Sequence, residues 1–531
     1  MTITRTITVA AGVFAPGHLG ELTLIVPFRL VDAVLEENGG VERRVRDLPS
    51  RVGVYFLLAM CLFPEVGYGG VWGKLTAGLG EGFACVPTVK ALRDLRRRIG
   101  VPAVKALFEV LAGPLAAPGL PGARFGRYRT VSFDGCTSQR VRDTARNRAW
   151  LGKQSGAGYP ALELMTLVET GTRALLGAVF GPRAEGETGY ATRLLHLLAA
   201  DMLVLWDKGF DGNVFLAAVH DTGAKFLGRV KNSRRLPVLA RLQDGSYLSS
   251  IDGLPVRIVE AVITVTCQDG TEVTGVYRLV TNLLNPRRHP AEALIRLYHQ
   301  RWEHESAYYA LRHTMLAGRV LRSGDRVGVE QEMWALLTTY QVLRTAMVEA
   351  VSTVPGTDPD RAGFTIALQC ARDRLILAAG VVTDTADPAA GIGKAILAGL
   401  LPPRRLRIST RKVKSPLSRY SARNDDGRPL TSQNVTALHV CVHIPPAGPS
   451  DTPPPDPSPT GPAAEPTPTR TRLGRLNTIL GLMRTDPTRL WAATDIAYRL
   501  GLDPHDTRTQ LGRWSRKGLF RKTARATYTL P

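Results

Sequence analysis

The run Tyr298-His-Gln-Arg301-Trp302-Glu-His-Glu305-Ser-Ala-Tyr-Tyr-Ala-Leu-Arg312 decides how the rest of the chain is read. Positions 298, 301, 305 and 312 recur at helical spacing, and at about 100° per residue they fall within roughly a 60° arc of one helix face. An aromatic hydroxyl, two guanidiniums and a carboxylate therefore share one stripe. Arg301 and Glu305 would pair across one turn of any exposed helix. A salt-bridge ladder does not account for a bulky tyrosine and a second arginine in the same phase.

Upstream, two segments share one design, an apolar β run closed by Asp and followed closely by Gly. They are Arg129-Thr-Val-Ser-Phe-Asp134-Gly-Cys136-Thr and Met202-Leu-Val-Leu-Trp-Asp207-Lys-Gly-Phe. A carboxylate at the end of a buried strand is costly unless a cation or hydrogen bonds neutralise it, so two such ends suggest a shared divalent metal site. Either motif alone is also an ordinary turn. Asp143, Asp201 and Asp211 are competing acids; Asp207 is preferred because it closes the apolar run.

The charge balance points to the same chemistry. Lys and Arg number 68 against 46 Asp and Glu, a formal net charge of +22, which a polyanion such as nucleic acid would neutralise. The 531 residues suit several domains, and 44% apolar content excludes wholesale disorder. The six cysteines lie far apart without a CxxC pair, which excludes a disulfide framework or zinc knuckle. The apolar stretch from Val52 to Phe63 is too short to span a bilayer, and the first residues, MTITRTITVA, lack a signal peptide's order. A soluble intracellular protein without a membrane partner is expected. Gly78-Leu-Gly-Glu-Gly82 and Gly391-Ile-Gly-Lys394 are fragments of phosphate loops without the full spacing, so no ATP-driven step is expected. His439, Cys441 and His443 share one strand face, where neighbours rarely converge on one ion.

The chain divides by composition. It reads as helical over 18–115, mixed over 126–215, strand-rich over 226–282 and helical again over 288–400. Arg404, Arg405, Arg407, Arg411, Lys412, Lys414, Arg419 and Arg423 form a basic run without an intervening acid, suited to tracking phosphates. Residues 445–469 hold 11 prolines in 25 positions and form an extended spacer, with a reach of roughly 80 Å as polyproline II. After it, 471–531 carries 12 Arg and Lys against 4 Asp. Its Leu473, Leu476, Ile479, Leu480 and Met483 have helical spacing, Thr494 is placed to cap a second helix, and Asp503-Pro504 starts a third. That third helix carries Arg508 and Arg513 around Leu511 and Trp514, ahead of a hairpin-like end. The segment resembles a winged helix-turn-helix, in which the third helix enters the major groove.

Together the three acids and the stripe resemble the bacterial DDE transposases of the insertion sequence 4 family. Asp134 matches the family's D-G-T-like motif, Asp207 its D-[RK]-G-F motif, and Tyr298, Arg301, Glu305 and Arg312 its Y-x2-R-x3-E-x6-K signature. Arg312 stands where Lys is usual, and Cys136 interrupts the first motif. The likeness covers roughly residues 10–425, leaving the spacer and tail outside.

The resemblance implies an α/β chain with a ribonuclease-H-like catalytic core at 126–228 and 283–350 and a β-rich insertion at 229–282. A helical N-terminal DNA-binding region at 1–125 and a helical, basic region at 351–444 flank it. It implies two Mg²⁺ ions, with Mn²⁺ as a substitute, held by Asp134, Asp207 and Glu305 for cleavage at element ends and strand transfer into target DNA. Arg301 and Arg312 would clamp phosphates, Tyr298 would hydrogen-bond one, and Trp302 would stack on a displaced base or serve as core. Double-stranded DNA, a homodimer on that DNA and a cytoplasmic, nucleoid-associated bacterial protein follow as expectations. A DNA-binding regulator derived from a transposase, or a hydrolytic nuclease of the same fold, are the rival readings.

Overall fold

The computed structural model describes residues 17–41, 46, 48–79, 86–152, 158–231, 233–267, 269–270, 272–379, 391–402, 407–409 and 432–442, with helices, strands and single residues between 479 and 529. The proline spacer, most of the basic run at 404–423 and most of the first tail helix lie outside these residues. Two compact units result, Met1–Pro446 and Ala447–Pro531.

The first unit begins with helices α1 (Phe28–Glu37), α2 (Ser50–Leu62), α3 (Tyr68–Thr76), α4 (Val89–Ile99) and α5 (Pro102–Leu111). Their limits follow local chemistry. Thr88 caps α4 by accepting from the Ala91 N–H, Arg96, Arg97 and Arg98 offset the dipole in its last turn, and Gly100 at φ 71° ends it. The strands follow: β1 (Arg124–Phe125), β2 (Tyr128–Arg140), β3 (Ala161–Glu169), β4 (Leu175–Gly181), β5 (Met202–Trp206) and β6 (Lys225–Arg229). Next come β7 (Ala240–Arg241), β8 (Tyr247–Ile251), β9 (Leu254–Cys267), β10 (Glu272–Thr281), β11 (Arg407–Ser409) and β12 (Ser432–Val442). Among these lie α6 (Ala145–Leu151), α7 (Gly186–Thr192), α8 (Asn213–Asp221), α9 (Ala291–Tyr298), α10 (Glu303–Tyr309), α11 (Arg326–Ser352), α12 (Phe364–Ile376) and α13 (Ile392–Ala398).

One sheet runs in the order β11-β12-β9-β10-β6-β5-β2-β3-β4. At its centre β2 pairs antiparallel with β3 and parallel with β5, and β5 pairs parallel with β6. β3 and β5 are buried along their whole length, as strands covered on both faces must be. On one face Val131, Phe133, Met165 and Leu167 pack against Tyr190 of α7 and Phe215, Leu216 and Val219 of α8. On the other, Leu162, Leu164 and Val168 join a core formed by α1–α5 and α11–α13.

α11 packs on α2, α5, α12 and α13, so the N-terminal and C-terminal helices share one apolar interior. Within 229–282, β10 pairs antiparallel with β6, and β9 and β12 continue the same sheet outward. Alternating polarity there reports strands with one wet face.

In the second unit, Ala493–Arg499 (α14) and Pro504–Arg516 (α15) accompany a three-stranded sheet of Trp491–Ala492 (β13), Arg521–Ala524 (β14) and Thr527–Thr529 (β15), ordered β13-β15-β14. Ile479, Met483, Trp491, Ile496, Leu511, Trp514, Phe520 and Tyr528 form its core. The cap of α14 is Ala492, not Thr494, because the β13 strand runs up to residue 492 and the helix starts directly behind it. Arg508 is exposed on α15; the Arg513 side chain lies outside the described residues.

Candidate active site

Strand register brings the first two acids together. β2 and β5 are in parallel pairing up to Ser132 opposite Leu205, and two residues further the same register sets Asp134 level with Asp207. Adjacent strands are about 4.8 Å apart, so two carboxylates at one level must face a common space or repel. Asp207 follows β5 directly and accepts from the Gly209 N–H at 2.6 Å, which opens a short 3₁₀ turn, Lys208–Phe210.

Side-chain alternation gives β2 two faces. Val131 and Phe133 point into the apolar layer, and Ser132, Asp134 and Cys136 point to the side of α10. Helix α10 is tied to that side by residues the motif reading passed over. His304 is buried, with Nδ1 2.8 Å from Ser132 Oγ and Nε2 2.7 Å from Thr166 Oγ1. Thr166 Oγ1 donates to Tyr308 Oη at 3.0 Å, and Tyr308 donates to the Asp134 carbonyl at 2.6 Å. Since a hydroxyl has one proton, the donors must run in one direction: Ser132 to His304, His304 Nε2–H to Thr166, Thr166 to Tyr308, Tyr308 to Asp134. Burial, aided by the Arg301 charge, lowers His304 to about 3, so it stays a neutral link in this chain. The i,i+4 pair His304 and Tyr308 is present in the sequence, but looks there like any buried helix face.

Glu305, next to His304, is near enough for its charge to act on Asp134 and Arg301. Burial first, then the Asp207 and Glu305 charges, pushes the Asp134 carboxyl up to about 7, against the lowering effect of Arg301 and the Gly135 N–H. Arg301 is buried, with Nη1 3.6 Å from Asp134 Oδ2. Burial disfavours its charge, but Tyr298, Asp134, Asp207 and Glu305 outweigh that and raise it. Among the described residues no three His, Cys, Asp or Glu side chains stand close enough to hold a metal ion as they are placed. The donor chemistry nonetheless fits a hard divalent cation. Three carboxylates offer only oxygen, and the charge on Asp134, disfavoured first by burial and then by the Asp207 and Glu305 charges, is one that a cation would stabilise.

The stripe expected on one continuous helix is differently built. α9 ends at Tyr298, His299–Trp302 is 3₁₀, α10 is a short α-helix, and Ala310–Met315 is π-helical. The tight and wide turns re-aim the side chains. Arg312 reaches β2, with Nη1 3.8 Å from Cys136 Sγ. Tyr298, expected at a phosphate, is buried instead and donates to the Trp206 carbonyl at 3.1 Å, pinning the end of β5 just before Asp207. Burial pushes its hydroxyl up to about 12. The reason is packing: Tyr298 closes the apolar layer of α9 against β9 and β10. The Trp302 side chain lies outside the described residues.

A fourth carboxylate, Glu187 at the start of α7, borders the site. A Cβ on Gly135 would lie 2.8 Å from Glu187 Cγ, and one on Gly209 would lie 2.8 Å from Asp207 Oδ1 and 3.4 Å from Glu187 Oε2. Both Asp-associated glycines thus lie where a side chain would press on the carboxylates around the site. Nothing in the local sequence around Glu187 marked it.

Residues 126–342 match the transposase DDE domain family, and residues 16–109 match the insertion element 4 transposase N-terminal family. The class of protein is thus a DDE transposase, with the ribonuclease-H-like core that this domain implies. A curated relative, transposase InsG for insertion sequence element IS4 from Escherichia coli (strain K12), is 25% identical over 427 residues, covering 76% of this chain and 93% of the relative. A solved structure, the cryo-EM structure of piggyBac transposase synaptic complex with hairpin DNA, matches at a TM-score of 0.40 and 10% identity, covering 77% of this chain and 87% of that one. The chain belongs to the insertion element 4 family of DDE transposases, and it is a DNA transposase. No helix among the described residues is long and apolar enough to cross a membrane.

Proposed function

We propose that Asp134, Asp207 and Glu305 are the catalytic carboxylates of this transposase and hold divalent cations, Mg²⁺ in the cell and Mn²⁺ in its place, during cleavage at element ends and strand transfer. The observation that carries the reading is the placing of Asp134, level with Asp207 by the β2–β5 register and 3.6 Å from the buried Arg301 guanidinium, where the Asp207 and Glu305 charges act on it. When bound, the ions supply a positive field for an in-line displacement at phosphorus and lower the cost of the attacking and departing oxygens.

The chain's own groups do the placing. Asp134 and Asp207 are level on neighbouring strands, and Glu305 is brought to them by a helix fixed through His304 and Tyr308. Arg301, buried beside Asp134, offsets the negative charge of the acids and would hold a phosphate oxygen once cations take its place at the carboxylate. Arg312 would take a phosphate at the rim by Cys136. Tyr298 is a positioning residue in this scheme, acting through the end of β5.

The second unit we read as a winged helix-turn-helix that adds DNA affinity through α15, with Arg508 and Arg513 on phosphates or base edges, tethered by the proline spacer. The reaction draws on no nucleotide triphosphate and runs in a homodimer that joins two DNA ends, on a nucleoid-associated protein in the cytoplasm. Domain limits at 126–350 for the catalytic core and 471–531 for the tail belong to the same proposal.

The test is cleavage and joining of labelled DNA bearing the element's ends in Mg²⁺. Glu305→Gln and Asp207→Asn are expected to lose on the order of a thousandfold or more in rate while still binding DNA. Joining at wild-type rates by either variant would remove it from the catalytic set, and hydrolysis without joining would favour the nuclease reading.

A further inference from the structure

A left-handed residue other than glycine stands in the short turn that joins β3 to β4. It is Arg173, at φ 60°. Such backbone suits glycine and is costly for a residue with a side chain, so the gain from an arginine here lies in the side chain itself. The guanidinium is largely buried between two acids. Nε and Nη2 donate to Glu303 Oε2 at 2.8 and 2.5 Å, and Nη2 also donates to Asp360 in the 3₁₀ turn Pro359–Arg361, between α11 and α12. The main chain of Arg173 is held as well. Its N–H donates to the Glu169 carbonyl at 2.8 Å, and its carbonyl accepts from Tyr340 Oη at 2.8 Å, which in turn accepts from Arg344 Nε at 3.0 Å. Arg344 is buried over the rings of Tyr340 and Phe364. Arg173 is thus a fixed point from which Glu303 is held.

Glu303 is the first residue of α10, where the 3₁₀ form of His299–Trp302 gives way to α-helix. Successive helix residues leave the axis about 100° apart, so Glu303 and Glu305 flank the line of His304 and Tyr308 on opposite sides. The bonds of His304 and Tyr308 to β2 and β3 fix the helix along that line but leave it able to roll about it. A roll that draws Glu303 off Arg173 also moves Glu305 relative to Asp134, which its charge reaches. The ion pair with Arg173 opposes that roll.

We propose that Arg173 is a positioning residue of the active site: through Glu303 it sets the roll of α10 and with it the place of Glu305. The proposal rests on the assignment of Glu305 to the catalytic set. Asp360 braces Arg173 from the other side and contributes to folding stability alone.

The test is Mn²⁺ binding to the full chain, followed by loss of the free ion's electron paramagnetic resonance signal, with urea unfolding of the same variants. Arg173→Gly keeps the left-handed backbone and removes a positive charge, which by charge alone would tighten binding of a cation. Loss of position predicts the opposite sign: Arg173→Gly and Glu303→Ala should each weaken Mn²⁺ binding by roughly 10- to 100-fold. Asp360→Ala should lower the unfolding midpoint and leave Mn²⁺ binding unchanged. Binding by Arg173→Gly as tight as wild type or tighter, or equal losses in Glu303→Ala and Asp360→Ala, overturns the proposal. Should Arg173→Gly fail to fold, the comparison of Glu303→Ala with Asp360→Ala decides alone. Asp207→Asn separates the two readings: if it binds Mn²⁺ as wild type does, or if wild type binds none, the active-site assignment falls and the role of Arg173 falls with it.

Discussion

The β2–β3 hairpin carries two carboxylates, Glu169 opposite Val131 at its open end and Asp134 three residue pairs further along, and the two sites are built to opposite ends of the electrostatic scale. At one, Glu169 is fully buried but surrounded by donors. Its Oε2 accepts from the Leu115 and Ala116 N–H groups at 3.1 and 3.0 Å, Thr172 donates a further bond, and Arg129 forms an ion pair with it. At the other, Asp134 has the Gly135 N–H and Arg301 at 3.6 Å, and faces two more acids. Glu169 is a charge the fold has saturated, and its job is to fix the loop at residues 115–116 to the sheet. Asp134 is a charge left partly uncompensated, and such a cost persists in a fold when something absent from the chain completes the site.

The largest consequence of this contrast is in stability. Glu169→Ala strands the nearly buried Arg129 and should cost roughly 3–5 kcal/mol. Asp134→Asn removes a charge from a repelling group and should change stability by less than about 1 kcal/mol, or raise it. Urea unfolding of the metal-free protein measures both. A severe loss in Asp134→Asn would mean that the two sites are alike and that Asp134 is structural.

A second effect separates the two sites by pH. The Asp134 carboxyl titrates near 3.8 when unfolded and about 7 when native, so between these values the native state holds the extra proton. Stability contributed by that proton is complete below about pH 4 and is lost as pH rises toward 7, at a slope of no more than about 1.4 kcal/mol per pH unit. Thermal unfolding in a chelator across this range should show the decline, and Asp134→Asn should flatten it. Mg²⁺ should flatten it as well, because cation and proton compete for one carboxylate. A wild-type slope that survives in Asp134→Asn would assign the titration elsewhere.

The contrast also explains which parts were legible in the sequence. Asp207 could be found because an unbroken apolar run, Met202 to Trp206, stops at it, and a fully buried strand announces its own end. The types and spacing of Arg301, Glu305 and Arg312 could be read from the helix period. The conformations linking them could not, since a 3₁₀ turn at His299–Trp302 and a π segment at Ala310–Met315 are chosen by what β2 and β3 offer across the gap. His304 and Tyr308 look like core until Ser132 and Thr166 are known to face them. Glu187 was invisible because its closeness to Gly135 and Gly209 joins segments about fifty and twenty residues away, a matter of tertiary packing alone. The strand pattern of 226–282 was evident, but the pairing of β10 with β6, which makes that block part of the main sheet, is a choice of register and partner.

Tyr298 sharpens the comparison at the finest scale, because a hydroxyl at an active site can serve either the substrate or the protein. In the structure it serves the Trp206 carbonyl, one residue before Asp207. Tyr298→Phe keeps the ring in its apolar layer and deletes that one bond, so stability should fall by about 1 kcal/mol. Asp207 would then be held less firmly, and the cleavage rate should drop while DNA affinity stays at the wild-type level. A hydroxyl bonded to a phosphate predicts the reverse, a loss of roughly 1.5–3 kcal/mol in binding with little change in folding. Measuring the dissociation constant, the single-turnover cleavage rate and the unfolding midpoint on the same variant decides between them. If affinity falls and stability does not, the tyrosine must leave its buried site when DNA arrives, and the end of β5 is a moving part of the active site.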